Sequence, residues 1–448
     1  MLFNSFEFLL FFPLVCIVYF LLRKRQIQNT FLLIASYYFY MNWKPVYAIL
    51  ILASTIITFF SGCWVEKLTD IRRRKYVLWA CLILNLGILF IFKYFNFINE
   101  SVFQLLDVFG MRWKVPNLDV LLPVGISFYT FQAIGYSIDV YKGTIKAERD
   151  FFTYALFVSF FPQLVAGPIE RAKNLLPQFH EQHFFNSQRA IDGFKQMLWG
   201  FFMKLCVADM LGNYVDAVYN NVSQHNGASI LLATVFFTFQ IYCDFGGYSN
   251  IAIGAAKVMG FKLMENFRRP YLSQTIKEFW KRWHISLSTW FMDYVYIPLG
   301  GNRVKYSRHL FNLMVTFMVS GLWHGANWTF VIWGALHGCY QVIGNVFRKY
   351  VYKPKYESVL SKVAGTLFCF VLVSFAWLFF RANNVADAFD IVNKIITERG
   401  TLFVDQNVFV VGFMSLLILM FKDIKDQFEL RFNFLHSKFC FIRYAFCL

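Results

Sequence analysis

Residues 310–347 read LFNLMVTFMVSGLWHGANWTFVIWGALHGCYQVIGNVF, two apolar runs joined through Trp323-His324-Gly325-Ala326-Asn327 without a single Asp, Glu, Lys or Arg. A hydrocarbon core of about 30 Å takes roughly 20 apolar residues as a helix. Only helices and closed barrels satisfy their backbone there. Leu310–Leu322 and Trp328–Phe347 are therefore read as membrane helices. A barrel needs short alternating strands, and long unbroken apolar runs stand in their place.

The same reading extends in both directions. Before this stretch lie Phe6–Leu22, Thr30–Met41, Val46–Trp64, Tyr76–Ile98, Leu121–Val140, Phe151–Ala166, Phe194–Leu211 and Ile230–Tyr242, and after it Val363–Phe380 and Val408–Phe421. The fold class is an all-α integral membrane protein in a single domain, 1–448, with about 10 to 12 transmembrane helices plus re-entrant and interfacial ones. Composition agrees: 58% of residues are hydrophobic and 15% charged, outside the soluble range. Three stretches, Val102–Phe109, Thr275–Tyr294 and Val385–Ile396, are amphipathic, and the last reads as a helix lying in the interface.

The net charge of +17 is a positive-inside bias, because Arg23–Arg25 and Arg72–Lys75 each flank an apolar run. Both belong on the cytoplasmic side, which puts the N-terminus outside. Nucleic acid is excluded as a partner, and membrane lipid is expected. Basic residues between Lys257 and Arg308 suit either anionic lipid or an acidic or phosphate-rich donor. The nine cysteines form no CxxC pair, so no disulfide framework is implied. Cys440 and Cys447 are the positions open to lipidation. The apolar start lacks a cleavage site and is not read as a signal peptide.

A strongly polar side chain at mid-membrane costs about 2.5–3.5 kcal/mol, so each asks for a reason. Around Asp244, Gly246-Gly247 should break or bend the helix. Asp244 either caps the next short helix and pairs with a nearby cation, or lines a polar cavity and orients a catalytic group. In Glu278–Phe291, apolar residues recur at helical spacing, and His284 falls on the flank one turn from Trp280 and Ser288. It is an interfacial anchor or a functional group. His324 lies between Gly321 and Gly325, which, like Gly334 and Gly338, allow close helix approach. A histidine packed so tightly needs its proton and lone pair satisfied, or a job. His337 has less polar company and reads as a core histidine. His180 and His183 are three apart, not the four of a zinc-protease helix.

At these residues the chain resembles the membrane-bound O-acyltransferase (MBOAT) family, in its bacterial alginate and peptidoglycan O-acetylation branch. The stretches carrying the resemblance are Phe160–Pro168, Asp244–Gly254, Glu265–Phe267, Phe279–Gly301 and Ser320–Gly338. Met292 departs from the branch, which usually has Arg there. The resemblance implies a bowl-like bundle with a central tunnel and two histidines, here His284 and His324, the second as catalytic base. Histidine suits that role, since acyl transfer to a hydroxyl needs a base that works near neutrality. Trp280, Trp283 and Trp323 are candidate tunnel walls, Asp244 and Asn266 candidate lining, and Arg282 a further candidate substrate contact.

The activity so implied is transfer of an acyl group, by the branch an acetyl, from a cytoplasmic thioester toward an exported or cell-surface polysaccharide. The donor is acetyl-CoA or another acyl thioester, with no permanently bound cofactor and no metal. An extracytoplasmic acetyltransferase or carrier is the expected partner, and the bacterial cytoplasmic (inner) membrane the expected location. D-alanyl transfer to teichoic acid on the same scaffold is one alternative. A non-enzymatic transporter is another, though the sequence lacks the paired halves such a protein would show.

Overall fold

The computed structural model describes residues 1–111, 115–165, 167–351, 358–403, 406 and 408–430. Cys440 and Cys447 lie outside the described residues. The elements are helical throughout the described chain: α1 Phe6–Leu21, α2 Arg25–Met41, α3 Ala48–Lys67, α4 Ile71–Leu89, α5 Phe95–Val108, α6 Ile126–Tyr141, α7 Phe151–Ser159, α8 Phe161–Leu164, α9 Ala172–Phe179 and α10 Ser187–Phe201. Then follow α11 Asp209–Tyr219, α12 Gly227–Met259, α13 Ile276–Arg282, α14 Ile285–Phe291, α15 Tyr306–His324, α16 Trp328–Tyr350, α17 Val359–Arg381, α18 Val385–Thr397 and α19 Phe413–Gln427.

Five helical stretches among the described residues are long and apolar enough to cross a membrane: Pro45–Lys67, Ile71–Val108, Gly227–Met259, Trp328–Tyr350 and Val359–Arg381. Phe6–Leu21 is a shorter apolar helix. At 1.5 Å per residue, 23 residues of α17 reach about 35 Å, enough for a hydrocarbon core. Its outer face exposes Leu367, Phe368 and Val371, while Cys369, Val373, Ala376 and Trp377 are buried. An apolar exterior of this kind belongs in lipid, and the protein is an integral membrane protein.

The chain divides into two compact units, with the division falling inside α10 and α12. One comprises Met1–Phe194 and Ala252–Met264. Its core is aromatic: Phe161 meets Phe11 and Phe39, and Phe160 meets Phe179 and Phe261. Buried hydroxyls are paired, as in Tyr154 with Thr58 and Ser54 with Asn85. The second unit comprises Lys195–Ile251 and the chain from Glu265. Trp283, Trp333 and Trp377 centre its core, and α15 packs along α16.

Three local expectations change. Gly246-Gly247 do not break α12, which runs as one helix from Gly227 to Met259. A Cβ on Gly247 would come within 2.8 Å of the Gly200 carbonyl, so the glycine serves close packing against α10. The expected single helix over 275–294 is two short helices, parted at Trp283 and His284. α18 buries Ala388 and Ile391 in the core, packs Val392 and Ile395 against it and leaves Phe389 outward, so most of its apolar face covers protein.

Candidate active site

Local sequence builds the His324 turn. α15 ends at His324, and Gly325 continues as extended backbone. A Cβ on Gly325 would collide with the Phe330 ring, so only glycine lets the chain turn back here. Asn327 then caps α16, accepting the Thr329 N–H at 3.0 Å. Further along the hairpin, a Cβ on Gly334 would lie 2.5 Å from the Phe317 carbonyl, and one on Gly321 would lie 3.2 Å from the Gly334 Cα. The glycine spacing thus brings the two backbones into contact, as small residues do between membrane helices. The His324 ring is enclosed by Trp323 and Trp333, each 4.9 Å away between centroids, and Phe380 at 5.3 Å.

His284 is placed by backbone conformation. Its φ of 42° and ψ of 55° are left-handed, a region that costs a non-glycine residue about 1–2 kcal/mol. Segment 265–269 holds it there. Arg268 N donates to Arg282 O and Ile285 N to Asn266 O, each at 2.9 Å, bracketing the turn. The Asn266 side-chain oxygen accepts from Ser286 Oγ at 2.6 Å and Ser286 N at 3.3 Å, and its amide donates to Ser249 Oγ at 3.1 Å. This reversal turns the His284 imidazole toward Phe245, at 4.6 Å, and Trp323, at 6.0 Å. The two histidine rings stand 6.5 Å apart, both within the aromatic enclosure.

A cavity of about 590 Å³ is lined by chain neighbours of both histidines, though by neither ring itself. Ile285, next to His284, lines it, as does Ser320, which precedes His324 by one turn on the same face of α15. Leu313, Phe317, Phe291 and Trp280 give it apolar walls. Lys277, Lys281 and Asn302 are its exposed polar residues, and His309 is bonded to Tyr296 at 2.8 Å nearby. A cavity apolar within and cationic at its rim suits an anionic molecule carrying a short apolar end.

The candidates from sequence divide into two groups. His284, His324 and Trp323 meet, Trp283 packs behind them against Phe267 and Trp377, and Trp280 walls the cavity. Asn266 is buried and its polar atoms are engaged with Ser249 and Ser286, so it braces the His284 turn rather than lining the cavity. Asp244 pairs with Lys204 at 2.5 Å, and Lys204 with Asp209 at 2.8 Å. Asp244 thus has a cation partner, but it lies inside the continuous α12 and caps no helix. Arg282 is engaged by Glu278 at 2.6 Å and Gln427 at 2.8 Å, away from the cavity lining. Sequence reasoning missed the enclosing Phe245, Trp333 and Phe380, because aromatic residues recur throughout the chain and nothing local marks these.

The family model described as MBOAT, membrane-bound O-acyltransferase family, matches residues 145–384, a span that contains both histidines. The chain belongs to this family. It is similar to a probable alginate O-acetylase AlgI of Azotobacter vinelandii, 41% identical over 86% of this chain and 76% of that protein. It is also similar to a peptidoglycan O-acetyltransferase of Helicobacter pylori, 33% identical over 89% of this chain and 80% of the other. A teichoic acid D-alanyltransferase of Streptococcus thermophilus is 30% identical over 57% of this chain and 68% of its own length. The family and these relatives make the protein an O-acyltransferase.

Proposed function

We propose that the protein takes an acetyl group from a cytoplasmic thioester and passes it toward hydroxyls of an exported or cell-surface polysaccharide. The observation that carries this reading is the pair of imidazoles 6.5 Å apart, with their chain neighbours Ile285 and Ser320 lining a cavity that exposes Lys277 and Lys281. His324 acts as base: it removes the hydroxyl proton as the oxygen attacks the thioester carbonyl carbon. The C–S bond then breaks, and the proton passes from the imidazolium to the leaving thiolate. General-base catalysis of this kind supplies about 10²–10⁴ in rate. His284 polarises the carbonyl or orients the hydroxyl from the opposite side. Lys277 and Lys281 attract the phosphates of acetyl-CoA or the acidic surface of an acyl carrier.

The protein is assigned to the bacterial cytoplasmic (inner) membrane with its N-terminus outside. Arg23–Arg25 at the junction of α1 and α2, and Arg72–Lys75 at the start of α4, support this by the positive-inside rule. An extracytoplasmic acetyltransferase or carrier completes delivery to the glycan. The names of the relatives at 41% and 33% identity support acetyl over D-alanyl, whose bearer resembles a smaller share of the chain. The deciding experiment is His324→Ala in purified protein with acetyl-CoA as donor. Thiol release should fall about 10²–10⁴-fold at an unchanged melting temperature. Turnover that persists in the folded variant would remove His324 from the mechanism.

A further inference from the structure

His337 is fully buried on α16, one turn beyond Trp333, and the reaction as described does not use it. Its Nδ1 accepts the indole N–H of Trp280 at 3.2 Å. The proton of the neutral ring therefore sits on Nε2, and no atom among the described residues accepts it. A leucine of similar bulk would fill this place with no polar atom to satisfy. What the imidazole gains in return is its hold on Trp280. Phe279, Phe317 and Trp333 pack around the imidazole, so its own orientation is fixed.

Trp280 is the residue through which this hold reaches the site. Its ring walls the cavity, 5.1 Å from Phe317 and 5.8 Å from Trp333. Trp333 in turn lies 4.9 Å from His324. The indole thus stands between the cavity and the enclosure of His324. Trp280 and Ser320 both line that cavity, so the position of the indole bears on the space beside Ser320.

We propose that His337 is a positioning residue: its hydrogen bond fixes Trp280 as a wall of the cavity and so restricts the donor to a short acyl group. This rests on the acyltransferase reading above. The test compares kcat/KM for acetyl-CoA and butyryl-CoA in reconstituted full-length protein. His337→Leu, which removes the acceptor, and Trp280→Phe, which removes the donor, should each lower the acetyl-over-butyryl preference up to about tenfold. His337→Asn places its Oδ1 where Nδ1 stood and should restore the preference to within about threefold. The double variant should be no worse than either single one, since both remove the same bond.

An unchanged preference in folded His337→Leu, or an Asn variant as altered as the Leu variant, would overturn the proposal. Where His337→Leu does not fold, the Asn and Trp280→Phe variants decide. A second readout is independent of turnover: the ultraviolet resonance Raman difference between wild type and Trp280→Phe should show a hydrogen-bonded indole N–H. Its absence overturns the pairing. A hydrogen-bonded signal in a protein that turns over no thioester would keep the pairing, and the length restriction would fall with the acyltransferase reading.

Discussion

Asn266→Ala tests whether the His284 turn is held from outside. The substitution deletes three side-chain hydrogen bonds, to Ser249 Oγ, Ser286 Oγ and Ser286 N, all in a buried setting. At about 0.5–1.5 kcal/mol each, and with two buried hydroxyls losing a partner, the loss is about 2–4 kcal/mol. Holding His284 in the left-handed region costs about 1–2 kcal/mol. The loss therefore exceeds the strain that Asn266 helps to contain, and the turn should relax and carry the imidazole away from Trp323 and His324. Expressed wholly at the site, this is roughly a 30- to 1,000-fold fall in kcat/KM. Acetyl-CoA turnover by purified protein, measured well below the melting temperature, reads it. A folded variant with kcat/KM within about threefold of wild type would refute the reasoning, even if its melting temperature had dropped.

Further outcomes follow from other parts of the molecule. Glu170 lies between α8 and α9, outside the membrane-spanning helices, and burial pushes its carboxyl up to about 7, partly offset by the Met264 N–H and Asn174 that it accepts from. A raised carboxyl favours the folded state fully below its ordinary value of 4.5 and loses that contribution as pH rises through 7. Stability should thus decline from pH 4.5 to above 7 by up to about 3 kcal/mol. Glu170→Gln should flatten that part of the profile, as read by melting temperature against pH. Gly334→Val forces side-chain bulk against the Phe317 carbonyl and should cost about 1–3 kcal/mol or more, seen as lost expression or a lower melting temperature. Lys277→Ala with Lys281→Ala should raise the KM for acetyl-CoA up to roughly tenfold, with kcat little changed and a weaker dependence on salt. A KM insensitive to both changes would place the donor elsewhere.

Hydropathy and a few punctuating residues determined a good deal from sequence. Burial in lipid is a property of composition and run length, so membrane helices such as Trp328–Tyr350 and Val359–Arg381 were legible one residue at a time. The glycine pairs flanking His324 and opening α16 were legible for the same reason: only absent side chains let two helix backbones touch. Local rules failed where long-range bonds overrode them. Gly246-Gly247 look like a helix break, but packing against Gly200 keeps α12 continuous. The periodicity of 275–294 promises one helix, but the backbone bonds from segment 265–269 make a turn at His284 more stable. Tertiary structure alone assigned Asn266 to that turn, paired Asp244 with Lys204, and joined His337 to Trp280. It also brought the His284 ring to 6.5 Å from that of His324, 40 positions later in the sequence. A hydrogen bond or a ring contact depends on where two distant segments meet, and hydrophobic periodicity carries no record of that meeting.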